Sequence, residues 1–238
     1  MDDTVAFKGF FPETISFLRR LKRNNRKGWF DSHKQEYEQF VLEPAQSFVA
    51  ALGKLIRRER PGAIADPRVN RSLFRIYRDT RFSHDKTPYK TNLALFIWEG
   101  ALSRMECPGF YFQLETNKLI LGAGLYMFSP KVLSSFRKAV VDPESGTRLR
   151  AIIKDIESIE DFKVEGRQYK RVPTGYDPEH PNARLLLHNG LYVALETRVP
   201  DELFTAKAAD FCWQKYQPFI PLHEWLVSLV VRPFFSTL

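Results

Sequence analysis

A cluster of charged residues beside apolar segments constrains this fold more than any other feature of the sequence. Residues 75–90 contain five Lys or Arg, two aspartates, one histidine and three aromatic residues. Residues 72–77 and 93–98, at the two ends of the cluster, are short apolar or aromatic runs of the kind that form strands. An ion removed from water without a partner costs several kcal/mol. The charges must therefore be paired, solvated or bound to a ligand.

Apolar residues at helical spacing dominate both ends of the chain. They predict a helix that begins at Pro12 and stops at Asn24-Asn25, a second over residues 25–40 with Asn25 as its cap, and a third over 44–56. They also predict helices over 201–216 and 219–231. Two more helices are predicted, one opening at Ser129-Pro130 and one over residues 147–156.

Strand patterns occupy the middle of the chain. They cover residues 72–77, 93–98, 110–114, 119–125, 162–164 and 191–197, and the short gap after 114 predicts a hairpin with Asn117 in the turn. Helices at both ends around strands predict an α+β fold, with a largely antiparallel central sheet and N-terminal and C-terminal helices packed on it. Without a repeat or a long linker, we expect one domain over residues 1–238.

The cysteines and the apolar runs indicate where such a protein resides. Cys107 and Cys212 are isolated and far apart in sequence, which predicts buried thiols in a reducing compartment and no metal site. The acidic start lacks the features of a signal peptide. The apolar run at 225–231 is far shorter than the roughly 20 residues that cross a bilayer. We therefore expect a cytoplasmic protein without a membrane partner.

Most of the positive charge lies in one segment. The chain has a formal charge of +8, and residues 57–90 contain ten Lys or Arg against four Asp or Glu, a net +6. Guanidinium groups suit phosphates and carboxylates because their planar fork donates two parallel hydrogen bonds. Because two aspartates cannot neutralise the five cations of residues 75–90, we expect an external anion there.

The predicted site is therefore a pocket that binds a phosphorylated or carboxylated small molecule, with or without turnover. Its walls would be formed by the cations Arg75, Arg78, Arg81, Lys86 and Lys90. Arg78 and Arg81 would clamp the anion.

The remaining site residues would support that clamp. Asp79 and Asp85 would orient the cations, and Tyr77 or Tyr89 would donate a hydrogen bond. If the chain is an enzyme, the candidate acid or base is His84 or His180. His180 lies in a loop rich in proline and glycine, residues 172–182. No motif in the sequence identifies a reaction or a cofactor.

Two alternatives stay open at the level of sequence. Aromatic residues interleave the cations, a pattern that single-stranded nucleic-acid sites use for stacking, so the segment 57–90 is also compatible with a nucleic-acid-binding module. In the other alternative, Asp79 and Asp85 pair with neighbouring arginines, and the cluster is an internal ion-pair network that binds nothing.

Residues 75–90 resemble the signature of a bacterial family, domain of unknown function 2461, with the pattern R-x-x-R-D-x-R-F-x-x-[DN]-K-x-P-Y-K. The matching residues are Arg75, Arg78, Asp79, Arg81, Phe82, Asp85, Lys86, Pro88, Tyr89 and Lys90. The resemblance extends to residues 7–10, 24–37, 122–126 and 171–181. It implies a single-domain bacterial protein of about this length and implies no activity.

Overall fold

The computed structural model describes residues 6–231, which divide into two compact units. The first unit comprises residues 6–97, 111–121 and 196–215, and the second comprises 98–110, 122–195 and 216–231. The division does not test the prediction of one domain over residues 1–238, which stays a prediction. The acidic start that argued against a signal peptide lies outside the described residues.

The described chain contains α-helices, short 3-10 helices and one sheet. The helices are α1 (Pro12–Arg23), α2 (Lys27–Ser32), α3 (Lys34–Tyr37), α4 (Glu43–Glu59), α5 (Pro130–Val141), α6 (Pro143–Glu157), α7 (Ala208–Tyr216) and α8 (Ile220–Val231). A π-helical turn, Glu38–Leu42, joins α3 to α4. The 3-10 helices are Arg104–Glu106, Leu185–Leu187, Asp201–Phe204 and Gln217–Phe219. No described helix is long and apolar enough to span a lipid bilayer.

The sheet has six antiparallel strands in the order β1-β2-β3-β4-β6-β5. They are β1 (Ala63–Ile64), β2 (Leu93–Glu99), β3 (Gly109–Leu114), β4 (Lys118–Leu125), β5 (Phe162–Arg167) and β6 (His188–Arg198). Helices pack on this sheet, so the predicted α+β fold with its antiparallel centre is confirmed. The predicted hairpin is also confirmed, with Asn117 between β3 and β4.

Aromatic side chains form the core of the first unit. The rings of Phe10, Phe48 on α4 and Phe112 on β3 lie within 5.8 Å of one another, centre to centre. Helix α1 adds Leu18 and Leu21, which are fully buried on the face that its helical spacing predicts. Burying each such side chain stabilises the fold by about 1.5 to 3 kcal/mol.

The second unit has its own aromatic core. Phe136 on α5 meets Trp225 on α8 edge to face at 5.9 Å, and Phe110 packs on Tyr216 at 5.3 Å. His223 is fully buried there, and its Nε2 atom lies 2.9 Å from Oε2 of Glu99. Both units therefore contain a core of their own.

The predicted strand over residues 72–77 is wrong. Only isolated bridges form there: Leu73 with Val69 and with Leu95, and Tyr77 with Tyr89. The reason is a change of partner: the amide of Phe74 donates to Ala94 on β2 (3.1 Å), whereas the carbonyl of Ile76 accepts from the amide of Lys90. Each partner bonds only a short part of the segment, so no continuous ladder forms over residues 72–77.

Three predicted helices also have different bounds. The helix predicted over residues 25–40 breaks at His33, whose φ of −119° ends α2. The helix predicted over 201–216 is a 3-10 helix followed by α7, because Thr205 is extended and its hydroxyl accepts from the amide of Lys207 (3.2 Å). Helix α6 starts before residue 147, since Asp142 caps it by accepting from the amide of Ser145 (2.8 Å).

Gly124 on β4 is a position where only glycine fits. Its φ is +133°, and a Cβ atom would collide with the carbonyl oxygen of Leu191 and lie 2.6 Å from the Cα atom of Tyr192. The sequence Gly122-Ala123-Gly124 is therefore part of a closely packed strand.

We expect Gly124→Ala to lower the free energy of unfolding more than Gly175→Ala does, by about 1 to 3 kcal/mol. Gly175 is the matched control: its φ is +90°, but no atom lies within 4 Å of the position that a Cβ atom would take. Both variants acquire backbone strain, and only Gly124→Ala acquires the collision. Urea unfolding of the two variants measures the difference, and equal losses would contradict the packing argument.

Candidate functional site

Backbone hydrogen bonds close the charged segment into a loop, which we call the basic loop (residues 75–90). The amide of Arg78 donates to the carbonyl of Pro88 (2.8 Å), and the amide of Lys90 donates to that of Ile76 (2.7 Å). Between these bonds, Tyr77 and Tyr89 face each other in an antiparallel bridge, with ring centres 5.3 Å apart. The two ends of the basic loop are therefore held side by side.

Asn25 fixes the base of the basic loop. In such a bridge the amide and carbonyl of Tyr89 point away from the paired strand. The Oδ1 atom of Asn25 accepts from the Tyr89 amide (3.0 Å), and its Nδ2 atom donates to the Tyr89 carbonyl (2.8 Å). The Tyr89 ring is buried and stacks on Phe30 at 4.3 Å. The predicted helix cap at Asn25 is wrong: Arg26 occupies the cap position, and the Asn25 amide serves Tyr89.

Hydrogen bonds from Arg78 cross-link the interior of the basic loop. Its Nη1 atom donates to the Asp85 carboxylate and the Thr87 hydroxyl, and its Nη2 atom lies 3.5 Å from Oγ of Ser83. The amide of Thr87 also donates to Asp85 (2.9 Å). This amide and then the guanidinium lower the pKa of Asp85 to about 2. Asp85 is therefore an anion that holds Arg78 in place.

Arg81 is paired with the other aspartate of the loop. Its Nε and Nη2 atoms donate to the two oxygens of Asp79, at 3.0 and 2.6 Å. These bonds hold the pKa of Asp79 well below its usual range. Both side chains are largely exposed, and exposed pairs contribute little to stability. Each of the two arginines predicted to clamp an anion is thus engaged by an aspartate of the loop.

Three more cations lie in the basic loop besides Arg78 and Arg81. Arg75 is exposed and makes no hydrogen bond or ion pair with residues 6–231. Lys86 donates to the carbonyl of Thr80 (2.9 Å), which carries no charge. The Nζ atom of Lys90 lies 5.3 Å from the centre of the Phe74 ring. Five cations against two aspartates leave the loop with a surplus of +3.

Phe82 is the most unusual residue at the tip of the basic loop. Its side chain is 95 % exposed, and the guanidinium carbon of Arg81 lies 5.9 Å from its ring centre. His84, predicted as an acid or base, is exposed on the same tip. An apolar ring held in water on a cross-linked loop is an uncommon arrangement.

A groove of about 440 Å³, which we call the basic groove, adjoins the loop. Of the predicted site residues it brings together Arg78, Asp79 and Lys90. The rest of its lining comes from Phe74, Asn92, Ala94, Tyr111 and Gln113. The Tyr111 hydroxyl donates to the side-chain carbonyl of Gln113, whose Nε2 atom donates to Glu115 (2.6 Å). The groove therefore offers two cations, one carboxylate, an aromatic wall and polar side chains.

Sequence reasoning missed Asn92, Tyr111 and Gln113. The sequence pattern could have identified two of them. Tyr111 and Gln113 are alternate residues on β3 and so share one face of the strand. Both are half-buried, whereas the rest of the strand is buried. Asn92 immediately precedes β2 and carries no pattern of its own.

The other predicted site residues lie outside the groove lining. Tyr77 is 52 % exposed, Tyr89 is buried by Phe30, and Arg75, Arg81 and Lys86 face solvent on the basic loop. His180 belongs to the second unit, where its Nδ1 atom accepts from the amide of Asn182 (3.1 Å). The Nδ1 atom of His180 therefore accepts a hydrogen bond within its own loop. In residues 6–231 no group of His, Cys, Asp and Glu could hold a metal ion.

We expect Asn25→Ala to lower the free energy of unfolding by about 1 to 3 kcal/mol, because the amide and carbonyl of Tyr89 lose their partners. Asn24→Ala is the control, since Asn24 makes one side-chain bond, to the carbonyl of Arg20 (3.0 Å), and should cost less. Asn25→Asp keeps the acceptor but turns a second oxygen toward the Tyr89 carbonyl, so it should cost at least as much as Asn25→Ala. Chemical denaturation of the three variants tests the order, and equal losses for Asn24→Ala and Asn25→Ala would refute it.

One family profile matches the chain. It is described as "Conserved hypothetical protein (DUF2461)" and covers residues 13–225, which is most of the chain and includes the basic loop. A search of curated proteins found no match. The resemblance noted in residues 75–90 is confirmed at the level of the family: the chain belongs to the DUF2461 family.

Proposed function

We propose that this protein binds a small phosphorylated or carboxylated molecule in the basic groove. The observation that carries the proposal is that Arg78 and Lys90 line one groove while both aspartates of the basic loop are engaged by arginines. The loop as a whole keeps its surplus of positive charge. An anion in the groove would supply the balancing charge.

The contacts of Arg78 support the proposal, because they order its guanidinium group before a ligand binds. Asp85, Thr87 and Ser83 restrict the guanidinium to one position, and its side chain is 25 % exposed. A side chain that is ordered before binding loses little conformational entropy when the ligand arrives. The backbone of Lys90 is likewise fixed, by its bond to Ile76.

The lining of the groove indicates what else the ligand would carry. Phe74 and Tyr111 meet edge to face at 6.2 Å and supply an aromatic wall, and Asn92 supplies an amide. A volume of about 440 Å³ falls within the range of small-molecule sites. We therefore propose a ligand with one anionic group and a planar or polar body.

A reducing, cytoplasmic and bacterial setting is part of the proposal. Cys107 and Cys212 are buried free thiols, which is the usual state of cysteines where glutathione and thioredoxin keep thiols reduced. The bacterial origin rests on the resemblance of the signature in residues 75–90.

We expect a matching ligand to raise the stability of the wild-type protein, and Lys90→Ala to bind it about tenfold or more weakly, because a hydrogen bond to a charged group contributes about 1.5 to 3 kcal/mol. Thermal unfolding against orthophosphate, nucleoside monophosphates and citrate measures this. At roughly 100 times the dissociation constant, the ligand should add about 2.7 kcal/mol.

Lys54→Ala is the control for that experiment, because Lys54 is an exposed lysine of α4 outside the groove. Its removal changes the net charge equally and should leave the affinity unchanged. The proposal fails if none of the anions stabilises the wild type, or if Lys54→Ala and Lys90→Ala weaken binding to the same extent.

The exposed ring of Phe82 favours a second candidate function, binding of single-stranded nucleic acid by the tip of the basic loop. Phe82 would stack on a base while the neighbouring cations Arg75 and Lys86 contact phosphates. Such binding depends on surface charge and would weaken steeply with salt. Binding of a small anion in the basic groove would not use Phe82.

We expect Phe82→Ala to weaken binding of a short oligothymidylate by about 1 to 3 kcal/mol if this second function holds. Phe82→Leu is the matched variant, because leucine keeps an apolar side chain and loses the aromatic face. A filter or fluorescence titration at two salt concentrations measures both. Wild-type affinity in Phe82→Ala would exclude stacking at this position.

The internal ion-pair alternative is compatible with either function. Arg78 pairs with Asp85, and Arg81 pairs with Asp79. A buried pair that loses one partner costs about 3 to 5 kcal/mol. Because the side chain of Asp85 is 58 % exposed, the pair is not buried, and its role in the proposal is to position Arg78.

A further inference from the structure

We infer that the first unit carries a second site, for a small organic anion with an apolar body, in a cleft beside helix α1. The cleft is about 830 Å³ in volume and shares no lining residue with the basic groove. Helix α1, the turn between β3 and β4, and the end of β6 form its walls. We call it the α1 cleft.

One face of helix α1 forms the first wall. The residues that line the cleft are Pro12, Ile15, Ser16 and Arg19, whose spacing of three and four places them on one side of a helix. Ile15 is buried, and Ser16 and Arg19 are exposed. This wall therefore presents an apolar base, a hydroxyl and a cation to the cleft.

The strands β4 and β6 supply two more cations and one carboxylate to the lining. Lys118 on β4 and Glu196 on β6 form an ion pair across the two strands (2.9 Å). Arg198 lies two residues after Glu196 and so shares its face of β6. Because Glu196 is taken by Lys118, no carboxylate of the lining remains for Arg198.

Arg19 and Arg198 differ in this respect from the paired arginines of the first unit. Arg20 on the same helix pairs with Glu36, and Arg68 pairs with Asp66 (2.6 Å). Arg19 and Arg198 make no hydrogen bond or ion pair with any residue in the described range 6–231. Three cations and one carboxylate give the lining a net charge of +2. Two guanidinium groups in one lining suit a phosphate or carboxylate, because each can donate two parallel hydrogen bonds.

The rest of the lining indicates that the anion is organic. Val199 and Phe204 continue the apolar base that Ile15 begins. The segment of Phe204 is held by the bond from the amide of Phe10 to the carbonyl of Leu203 (2.8 Å). A bare inorganic ion would leave this apolar surface in water, whereas a ligand with an apolar body would cover it. The hydroxyls of Thr116 and Thr197 are further donors at the rim.

The test uses phenyl phosphate and benzoate as probes, with inorganic phosphate as the ion that lacks an apolar body. We expect calorimetric titration of the whole chain to show saturable binding of at least one organic probe, tighter than inorganic phosphate. Arg19→Ala and Arg198→Ala should each weaken that binding by about tenfold or more. Phenyl phosphate and benzoate distinguish a phosphate ligand from a carboxylate ligand.

Two control variants separate this site from general charge effects and from the basic groove. Arg150→Ala removes an exposed arginine of α6 outside the cleft and should leave binding unchanged. Lys90→Ala, which weakens the basic groove, should also leave it unchanged. Because Arg19 and Arg198 are exposed and make no ion pair within residues 6–231, their variants should unfold at the wild-type temperature.

The inference is overturned if neither organic probe binds, or if Arg19→Ala and Arg198→Ala bind as the wild type does. It is also overturned if inorganic phosphate binds as tightly as the organic probes, because the apolar base then plays no part. Loss of binding in Lys90→Ala alone would assign the probe to the basic groove and leave the α1 cleft without a ligand.

Discussion

The bonds between the Asn25 side chain and the Tyr89 backbone are the interaction on which the basic loop depends. They satisfy the two backbone groups of Tyr89 that point away from its bridge partner Tyr77. The contact joins residues 64 positions apart in sequence, so it fixes the loop against the N-terminal helices. Phe30 packs on the Tyr89 ring from those helices and buries it. This base holds the two ends of the basic loop, whereas contacts inside the loop position Arg78 and Arg81.

Ion pairs set the charge balance of the basic loop. Asp85 and Asp79 each pair with one arginine, Arg78 and Arg81. The Thr87 amide and then Arg78 lower the pKa of Asp85, and Arg81 lowers that of Asp79. With two of its five cations paired in this way, the loop keeps a surplus of +3. The α1 cleft follows the same logic, because Glu196 compensates Lys118 and leaves Arg19 and Arg198 without a carboxylate in the lining.

Local patterns predicted most of the helices and strands. Helix α1 follows from Pro12 and the apolar spacing of Leu18 and Leu21, and the β3–β4 hairpin follows from two strand patterns around Asn117. The failures have a common cause. The strand predicted over residues 72–77 has a suitable composition, but its backbone pairs first with β2 and then with the segment around Lys90. The composition of a segment indicates that it can form a strand. It does not indicate which other segment its backbone will pair with.

Residue order and periodicity were enough to establish the family, the fold class and the surplus of positive charge in residues 75–90, because each is a property of the chain read along its length. Tertiary packing was needed to learn which aspartate meets which arginine, why Asn25 holds Tyr89, and which residues of β3 line the basic groove. Those contacts join residues distant in sequence or depend on how a loop turns. Their energies arise from distances between atoms, which no local pattern of residues specifies.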